Sequence, residues 1–168
     1  MDNVLVVGGG ITGIQTSLDL SQLGHDVILL EKEEELGGKL RQLSKLFPKE
    51  ESAVELLDAK RSQLEGRGNI QIKTNTEIEE VVVKTPGYNI VLKGEGKSLE
   101  VDAVILTTGY DPFDPHSIEA YGYGRLKDVI TAFELEEMLK GEKVARPSDG
   151  AAPKKISFLQ CVGSRDRR

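Results

Sequence analysis

The stretch Val4-Leu-Val-Val-Gly-Gly-Gly-Ile-Thr-Gly13 decides the fold that the rest of the chain follows. Its four apolar residues predict a short buried strand, and its glycines fall on the spacing G-x-G-x-x-G. In that pattern Gly8 permits a tight turn, and Gly10 lets a pyrophosphate approach the backbone. Gly13 lets the following helix pack close to the sheet. The stretch therefore predicts a turn that binds a dinucleotide.

The residues that follow complete a βαβ unit. A helix is predicted over 14–23, closed by a glycine, and a second apolar strand, Val27–Leu30, leads into Glu31. Amides near the start of the helix, those of Ile11 and Thr12, are predicted to bind phosphate. A carboxylate at Glu31 would accept hydrogen bonds from an adenosine ribose and repel a 2′-phosphate, which argues against NADP. The alternative is a βαβ unit that binds no ligand.

The position of Glu31 leads to a first expectation about a substitution. Glu31→Ala is predicted to weaken nucleotide binding by about 1.5–3 kcal/mol, the range for hydrogen bonds to charged groups. Because the residue stands at the end of a strand, the fold is expected to survive the change.

Composition excludes several classes of function. The net charge of −6 leaves no large basic surface for nucleic acid, and no apolar run approaches the ~20 residues that a membrane span needs. The chain enters its first strand at once, which predicts no signal peptide and a cytoplasmic location. One cysteine, Cys161, is too few for an iron–sulfur cluster, which takes about four protein ligands. Cys161 is either a redox thiol or a small apolar residue at a strand end, and no metal site is predicted.

The middle of the chain predicts one more helix and a set of strands. A helix is predicted over Ser52–Leu64, and a strand over Ile70–Lys73. Alternating apolar residues and glycine turns then predict a small antiparallel meander, whose last member returns into the buried sheet. The meander consists of Glu77–Lys84, Tyr88–Lys93 and Ser98–Thr107, with turns at Pro86-Gly87 and Gly94–Gly96.

The remainder is predicted to be less regular. Two prolines interrupt Asp111–Pro115, Thr131 caps a helix over Ala132–Lys140 through a capping box with Glu134, and Lys155–Cys161 predicts a buried strand. Neither His25, predicted as a surface cap, nor His116, which has no obvious carboxylate or cysteine set to join a metal site, is a candidate catalyst. Three segments are predicted: a Rossmann-like domain (1–110), a loop and helix connection (111–153) and a last segment that holds the final strand (154–168).

Four pieces of the sequence together resemble the FAD-binding domain of flavoprotein oxidoreductases with two dinucleotide domains. They are Gly8–Gly13, Glu31-Lys32, Leu36-Gly-Gly38 and Thr107-Thr-Gly109. The resemblance implies an α/β fold with a parallel sheet and a small antiparallel meander. It implies a cofactor site without a catalytic side chain. The implied site residues are Gly8, Gly10, Ile11, Thr12, Gly13, Glu31, Lys32, Gly38, Lys39, Ile78, Thr107, Thr108 and Gly109.

A closer resemblance is to the flavoprotein subunit of heterodisulfide reductase and its relatives, including flavoprotein subunits of a quinone-interacting oxidoreductase. It is carried by Gly109-Tyr-Asp-Pro-Phe-Asp-Pro115, Tyr121-Gly-Tyr-Gly-Arg125 and Phe158-Leu-Gln-Cys-Val-Gly-Ser-Arg-Asp166. The resemblance implies that 154–168 contains the first strand of a second nucleotide-binding half. Two departures stand out: no cysteine follows Phe47-Pro48, and the rest of that second half is missing. The chain is therefore either a portion of a longer protein or a relative that keeps the flavin and has lost clusters.

The resemblance implies the FAD-binding part of an electron-transferring oxidoreductase, incomplete on its own, that works with other redox subunits or iron–sulfur proteins. The alternative is a non-catalytic module that binds NAD or ADP, or that docks subunits. A homodimer through the C-terminal tail is also predicted, because an unpaired strand favours association. Measuring the oligomeric state after deletion of the residues beyond Gly150 would test it.

Overall fold

The computed structural model describes residues 2–94 and 96–164. Contacts define two compact units: residues 2–41 with 45–109, and residues 42–44 with 110–164. In chain order the strands and α-helices are β1 (Asn3–Val7), α1 (Ile11–Gln22), β2 (Asp26–Leu30), β3 (Lys45–Leu46), β4 (Glu51–Ser52), α2 (Ala53–Glu65), β5 (Ile70–Lys73), β6 (Ile78–Val83), β7 (Tyr88–Leu92), β8 (Ser98–Val101), β9 (Ala103–Leu106) and α3 (Ala132–Lys140).

A four-stranded parallel sheet forms the centre of the first unit, in the order β5-β2-β1-β9. In its middle, Val4 of β1 lies opposite Val27 of β2 on one side and Ala103 of β9 on the other. The continuous apolar runs of β1 and β2 suit this position, because a central parallel strand is covered on both faces. The predicted βαβ unit and parallel sheet are confirmed.

The predicted meander is also confirmed and covers one face of this sheet. Its strands β6, β7 and β8 pair antiparallel, and Ile90 and Leu92 pack with Leu5 and Leu30 of the parallel sheet in one apolar cluster. Side chains alternate along a strand, so their neighbours in β1 and β2 point to the opposite face. There α1 packs on both strands. The meander turn predicted at 94–96 includes residue 95, which lies outside the described residues.

The last predicted strand of the meander divides into two strands. β8 stays in the meander, whereas β9 joins β1 in the parallel sheet, as the prediction of a return requires. The break falls at Asp102, whose carboxylate accepts a hydrogen bond of 2.7 Å from the amide of Asn3 at the start of β1. Because β9 runs parallel to β1, the residues after β9 lie at the same end of the sheet as the glycine turn after β1, the end at which the strands terminate.

The starts of α1 and α3 follow from the residues around them. α1 begins at Ile11, three residues before the predicted start, with Gly10 as its N-cap and Gly13 of the motif in its first turn. In α3, the Thr131 hydroxyl accepts a hydrogen bond from the Glu134 amide, and the Glu134 carboxylate accepts one from the Thr131 amide. The predicted capping box is confirmed. No helix among the described residues has the length and apolar character needed to cross a membrane.

The buried strand predicted over Lys155–Cys161 does not form. Residues 155–160 have no regular secondary structure, and Phe158 is 71% exposed. A strand needs a neighbour to hydrogen-bond, and the described part of the second unit contains no strand. Residues 165–168, which end the segment predicted as 154–168, lie outside the described residues. The assignment of that segment to a second domain stays a prediction.

Candidate functional site

The turn after β1 has a shape that only glycine permits at two positions. Gly8 adopts φ +107°, and a Cβ there would lie 2.5 Å from the Thr107 carbonyl oxygen. At Gly13 in the first turn of α1, a Cβ would overlap the Gly8 carbonyl oxygen. The first and third glycines of the pattern are therefore needed for close backbone packing between the turn, the helix and the end of β9.

Gly10 differs from those two glycines because the space around it is empty. Its φ of −70° suits any residue, and a Cβ built there meets nothing within 4 Å. Gly10 is the N-cap of α1, and the Ile14 amide donates to its carbonyl. The amides of Ile11 and Thr12 precede that hydrogen bond, so they have no carbonyl partner within the helix. An open surface beside unpaired amides fits an anionic group.

Glu31 lies at the carboxyl end of β2, directly beside this turn. Its side chain is buried, with the residue only 7% exposed. One carboxylate oxygen accepts a 2.7 Å hydrogen bond from the Gly9 amide, and the other accepts a 3.0 Å bond from the Glu33 amide. The carboxylate is thus held in one orientation before any ligand binds. Gly9 was not among the predicted site residues, although a glycine between the first two of the motif was a visible signal.

A second glycine turn, Leu36-Gly-Gly38, lies against the first. The Gly37 amide donates a 2.7 Å hydrogen bond to the Gly9 carbonyl, and Gly37 forms an isolated parallel bridge with Gly10. A Cβ at Gly38 would lie 3.2 Å from the Gly10 Cα. Gly37, with φ +122°, is a further residue that the predicted site omitted. The two turns together form one edge of the open surface at Gly10.

The end of β9 forms the other side of the turn. Thr107 is half-buried, and its hydroxyl lies 2.8 Å from the Gly8 carbonyl oxygen and 2.9 Å from that of Val7. Its side chain therefore contacts the glycine turn itself. Thr108 and Gly109, which follow, are exposed. Of the three predicted residues here, Thr107 supports the turn, and the other two are accessible to a ligand.

The remaining predicted residues lie farther along the same edge. The Thr76 amide donates to the Glu31 carbonyl (3.0 Å), which brings the chain before Ile78, the first residue of β6, next to the end of β2. Lys32 is exposed, and Lys39 is half-buried in a 3-10 helix over Gly38–Gln42. All the predicted site residues thus belong to the first unit.

Glu31 stands at a strand end, as expected, but it is buried and bonded to the Gly9 amide, so its replacement is expected to cost stability as well as binding. Glu31→Ala is now expected to lower the free energy of unfolding by about 1–3 kcal/mol, because the buried Gly9 amide loses its acceptor. Glu31→Gln, which keeps one oxygen acceptor, is the matched control and is expected to lose less. Urea unfolding of both variants measures the difference. An alanine variant as stable as the parent chain would contradict the structural role of this carboxylate.

In the described part of the chain, the cysteine and histidines singled out from the sequence do not form a second catalytic or metal-binding site. Cys161 is exposed with φ +60°, so it is not an apolar residue at a strand end. The Nδ1 of His116 lies 2.7 Å from Asp114 Oδ1, which is a single carboxylate and not a set of metal ligands. Hydrogen bonds from the backbone and side chain of His116 lower the pKa of Asp114. No three His, Cys, Asp or Glu side chains among the described residues are grouped to hold a metal.

Comparisons with known proteins agree with this geometry. The sequence pattern of the pyridine nucleotide-disulphide oxidoreductase family matches residues 2–146. An iron-sulfur subunit of CoB–CoM heterodisulfide reductase from Methanopyrus kandleri is 32% identical, over 98% of this chain and 38% of its own length. The corresponding subunit from Methanocaldococcus jannaschii is 30% identical, over 98% of this chain and 38% of its own. The chain thus spans less than two fifths of these relatives.

These relatives also contain stretches that this chain lacks. The alignment with the Methanopyrus kandleri protein extends over 248 positions, although 98% of this chain amounts to fewer than 168 residues. The difference consists of positions with no counterpart here.

Solved structures support the fold. Thioredoxin reductase of Lactococcus lactis has a TM-score of 0.60 and 18% identity, over 73% of this chain and 41% of its own. L-proline dehydrogenase of P. horikoshii has a TM-score of 0.58 and 24% identity, over 64% of this chain and 22% of its own. At these identities the likeness shows a shared architecture alone.

Proposed function

Because the chain belongs to the pyridine nucleotide-disulphide oxidoreductase family and resembles the flavoprotein subunit of heterodisulfide reductase, we propose that it is the FAD-binding part of an electron-transferring oxidoreductase. The observation that carries this proposal is the arrangement of residues where the adjacent parallel strands β1, β2 and β9 end. In open parallel α/β sheets, ligands bind outside these ends. There the open surface of Gly10, the buried carboxylate of Glu31 and the exposed Thr108-Gly109 follow one another.

The residues present fit an FAD molecule along this end of the sheet. The amides of Ile11 and Thr12 and the open face of Gly10 would hold the pyrophosphate. Glu31 would accept hydrogen bonds from the adenosine ribose, and the Ile78 backbone would border the adenine. Gly38, Lys39 and Thr108-Gly109 would line the path towards the flavin ring. When bound, the flavin supplies the redox chemistry, whereas the protein binds and orients it.

A second candidate function is a non-catalytic module that binds ADP or NAD, or that docks subunits. It is favoured by a difference between the two ends of the site. At the adenosine end, Glu31 is buried and fixed by two amides. At the flavin end, Thr108 and Gly109 are exposed. An adenine nucleotide alone would use the organised half.

Calorimetry with FAD, ADP and NAD on the purified chain separates the two candidates. If the flavin end is recognised, FAD is expected to bind at least about tenfold more tightly than ADP, a difference of 1.4 kcal/mol. Equal affinities for FAD and ADP would favour the adenine-nucleotide module. Binding of none of the three would refute both candidates as nucleotide-binding functions.

The proposal extends to partners, by analogy with relatives named as subunits of larger reductases. We propose that electrons pass between this chain and other redox subunits or iron–sulfur proteins. The predicted homodimer through the tail and the cytoplasmic location stay predictions. The exposed apolar side chains at Ile156, Phe158 and Leu159 are available for such an association.

A further inference from the structure

The hydroxyl of Thr107 contacts the backbone of the glycine turn, a contact that the proposed cofactor site does not explain. Thr107 is the first residue after β9, the strand that pairs with β1. Its side chain points at the glycine turn that follows β1. Its Oγ1 lies 2.8 Å from the carbonyl oxygen of Gly8 and 2.9 Å from that of Val7. A hydroxyl carries one proton, so it can fully donate to only one of these two carbonyls.

The Gly8 carbonyl is the better acceptor for that proton. The Val7 carbonyl already accepts a 2.8 Å hydrogen bond from the Thr107 amide. The Gly8 carbonyl lies at the shorter distance and faces the Cα of Gly13, where a Cβ would overlap it. The Thr107 oxygen would also lie 2.8 Å from that Cβ. The hydroxyl, the Gly8 carbonyl and the Gly13 Cα therefore meet at one point.

This point of contact fixes the part of the turn that faces a ligand. The Gly8 carbonyl packs against Gly13 in the first turn of α1, so a hydrogen bond that holds this carbonyl also holds the contact between the two ends of the segment. That segment contains Gly10, Ile11 and Thr12, the proposed pyrophosphate-binding residues. A binding group that is already ordered loses less conformational entropy when its ligand arrives.

We infer that the Thr107 hydroxyl is a positioning group for the pyrophosphate-binding turn: by its hydrogen bond to the Gly8 carbonyl it holds the amides at the start of α1 in place. This inference rests on the proposed nucleotide-binding function. Thr107 acts through the turn and does not contact the ligand. Removal of the hydroxyl is therefore expected to weaken the binding of ligands that carry phosphate groups more than the binding of ligands that lack them.

The test compares Thr107→Val, which keeps the shape of the side chain without the donor, with Thr107→Ser, which keeps the donor. ADP and adenosine are the probes, and ligand-observed NMR measures both affinities. Thr107→Val is expected to weaken ADP binding roughly fivefold to tenfold, the loss of one hydrogen bond. Adenosine binding should change less than twofold, and Thr107→Ser should restore ADP binding. In the ligand-free chain, the hydrogen-bonded amides of Gly8, Gly9 and Ile14 should exchange hydrogen faster in Thr107→Val.

Three results would overturn the inference: unchanged ADP binding in Thr107→Val, an equal loss for adenosine, or no rescue by Thr107→Ser. If the parent chain binds neither ADP nor FAD, the proposed function fails instead. The exchange measurement then decides separately whether Thr107 holds the turn, since it needs no ligand. Unchanged exchange at the amides of Gly8, Gly9 and Ile14 would exclude that role.

Discussion

Gly13→Ala is expected to lower the free energy of unfolding by about 3 kcal/mol or more, because an added methyl has no room. The Cβ would overlap the Gly8 carbonyl oxygen and lie 2.8 Å from Thr107 Oγ1. The Gly8 carbonyl oxygen is a backbone atom, in a turn where Gly8 has φ +107°, so the overlap can be removed only by moving α1 away from β1. That movement would disturb the buried contact between the helix and the sheet. Thermal or urea unfolding measures the loss.

Gly68→Ala is the matched control for this change. Gly68 lies before β5, has no positive φ, and a Cβ there meets nothing within 4 Å. Its replacement is expected to change the free energy of unfolding by less than about 0.5 kcal/mol. If Gly13→Ala were as stable as Gly68→Ala, the close packing of α1 on the glycine turn would be wrong.

The sequence predicted those parts of the fold that local rules determine. Apolar runs bounded by glycines marked β1 and β2, and the spacing of Thr131 and Glu134 marked the start of α3. The meander followed from alternation and turn residues. In each case the residues that define the element are also the ones that form it, so no knowledge of distant contacts was needed.

Features that depend on distant partners could not be predicted in this way. The burial of Glu31 results from the Gly9 amide, 22 residues away in the chain, and from the second glycine turn. The segment Lys155–Cys161 has the composition of a strand, but a strand forms only beside a partner. Periodicity shows how a segment would pack, whereas the identity of its neighbour is a property of the assembled fold.

The open surface at Gly10 leads to the second large effect, on binding with only a small effect on folding. Gly10→Ala is expected to lower the free energy of unfolding by no more than about 1 kcal/mol, the preference for glycine over alanine at an N-cap, because φ is −70° and no atom lies within 4 Å of the new methyl. The same methyl would occupy the space through which a pyrophosphate reaches the backbone. The affinity for FAD is therefore expected to fall about 100-fold, which corresponds to 2.7 kcal/mol.

Calorimetry with FAD, paired with urea unfolding of the same preparation, measures both quantities for Gly10→Ala. Gly68→Ala again serves as control, since it adds the same methyl to an open glycine remote from the glycine turns and is expected to bind FAD like the parent chain. Loss of binding in Gly10→Ala alone would locate the pyrophosphate at the start of α1. If Gly10→Ala binds FAD normally, the ligand does not approach the backbone at this glycine, and the proposed path of the cofactor is wrong. If Gly10→Ala and Gly68→Ala both unfold at a clearly lower urea concentration than the parent chain, the open space described around Gly10 is wrong. The contrast between Gly10 and Gly13 then disappears.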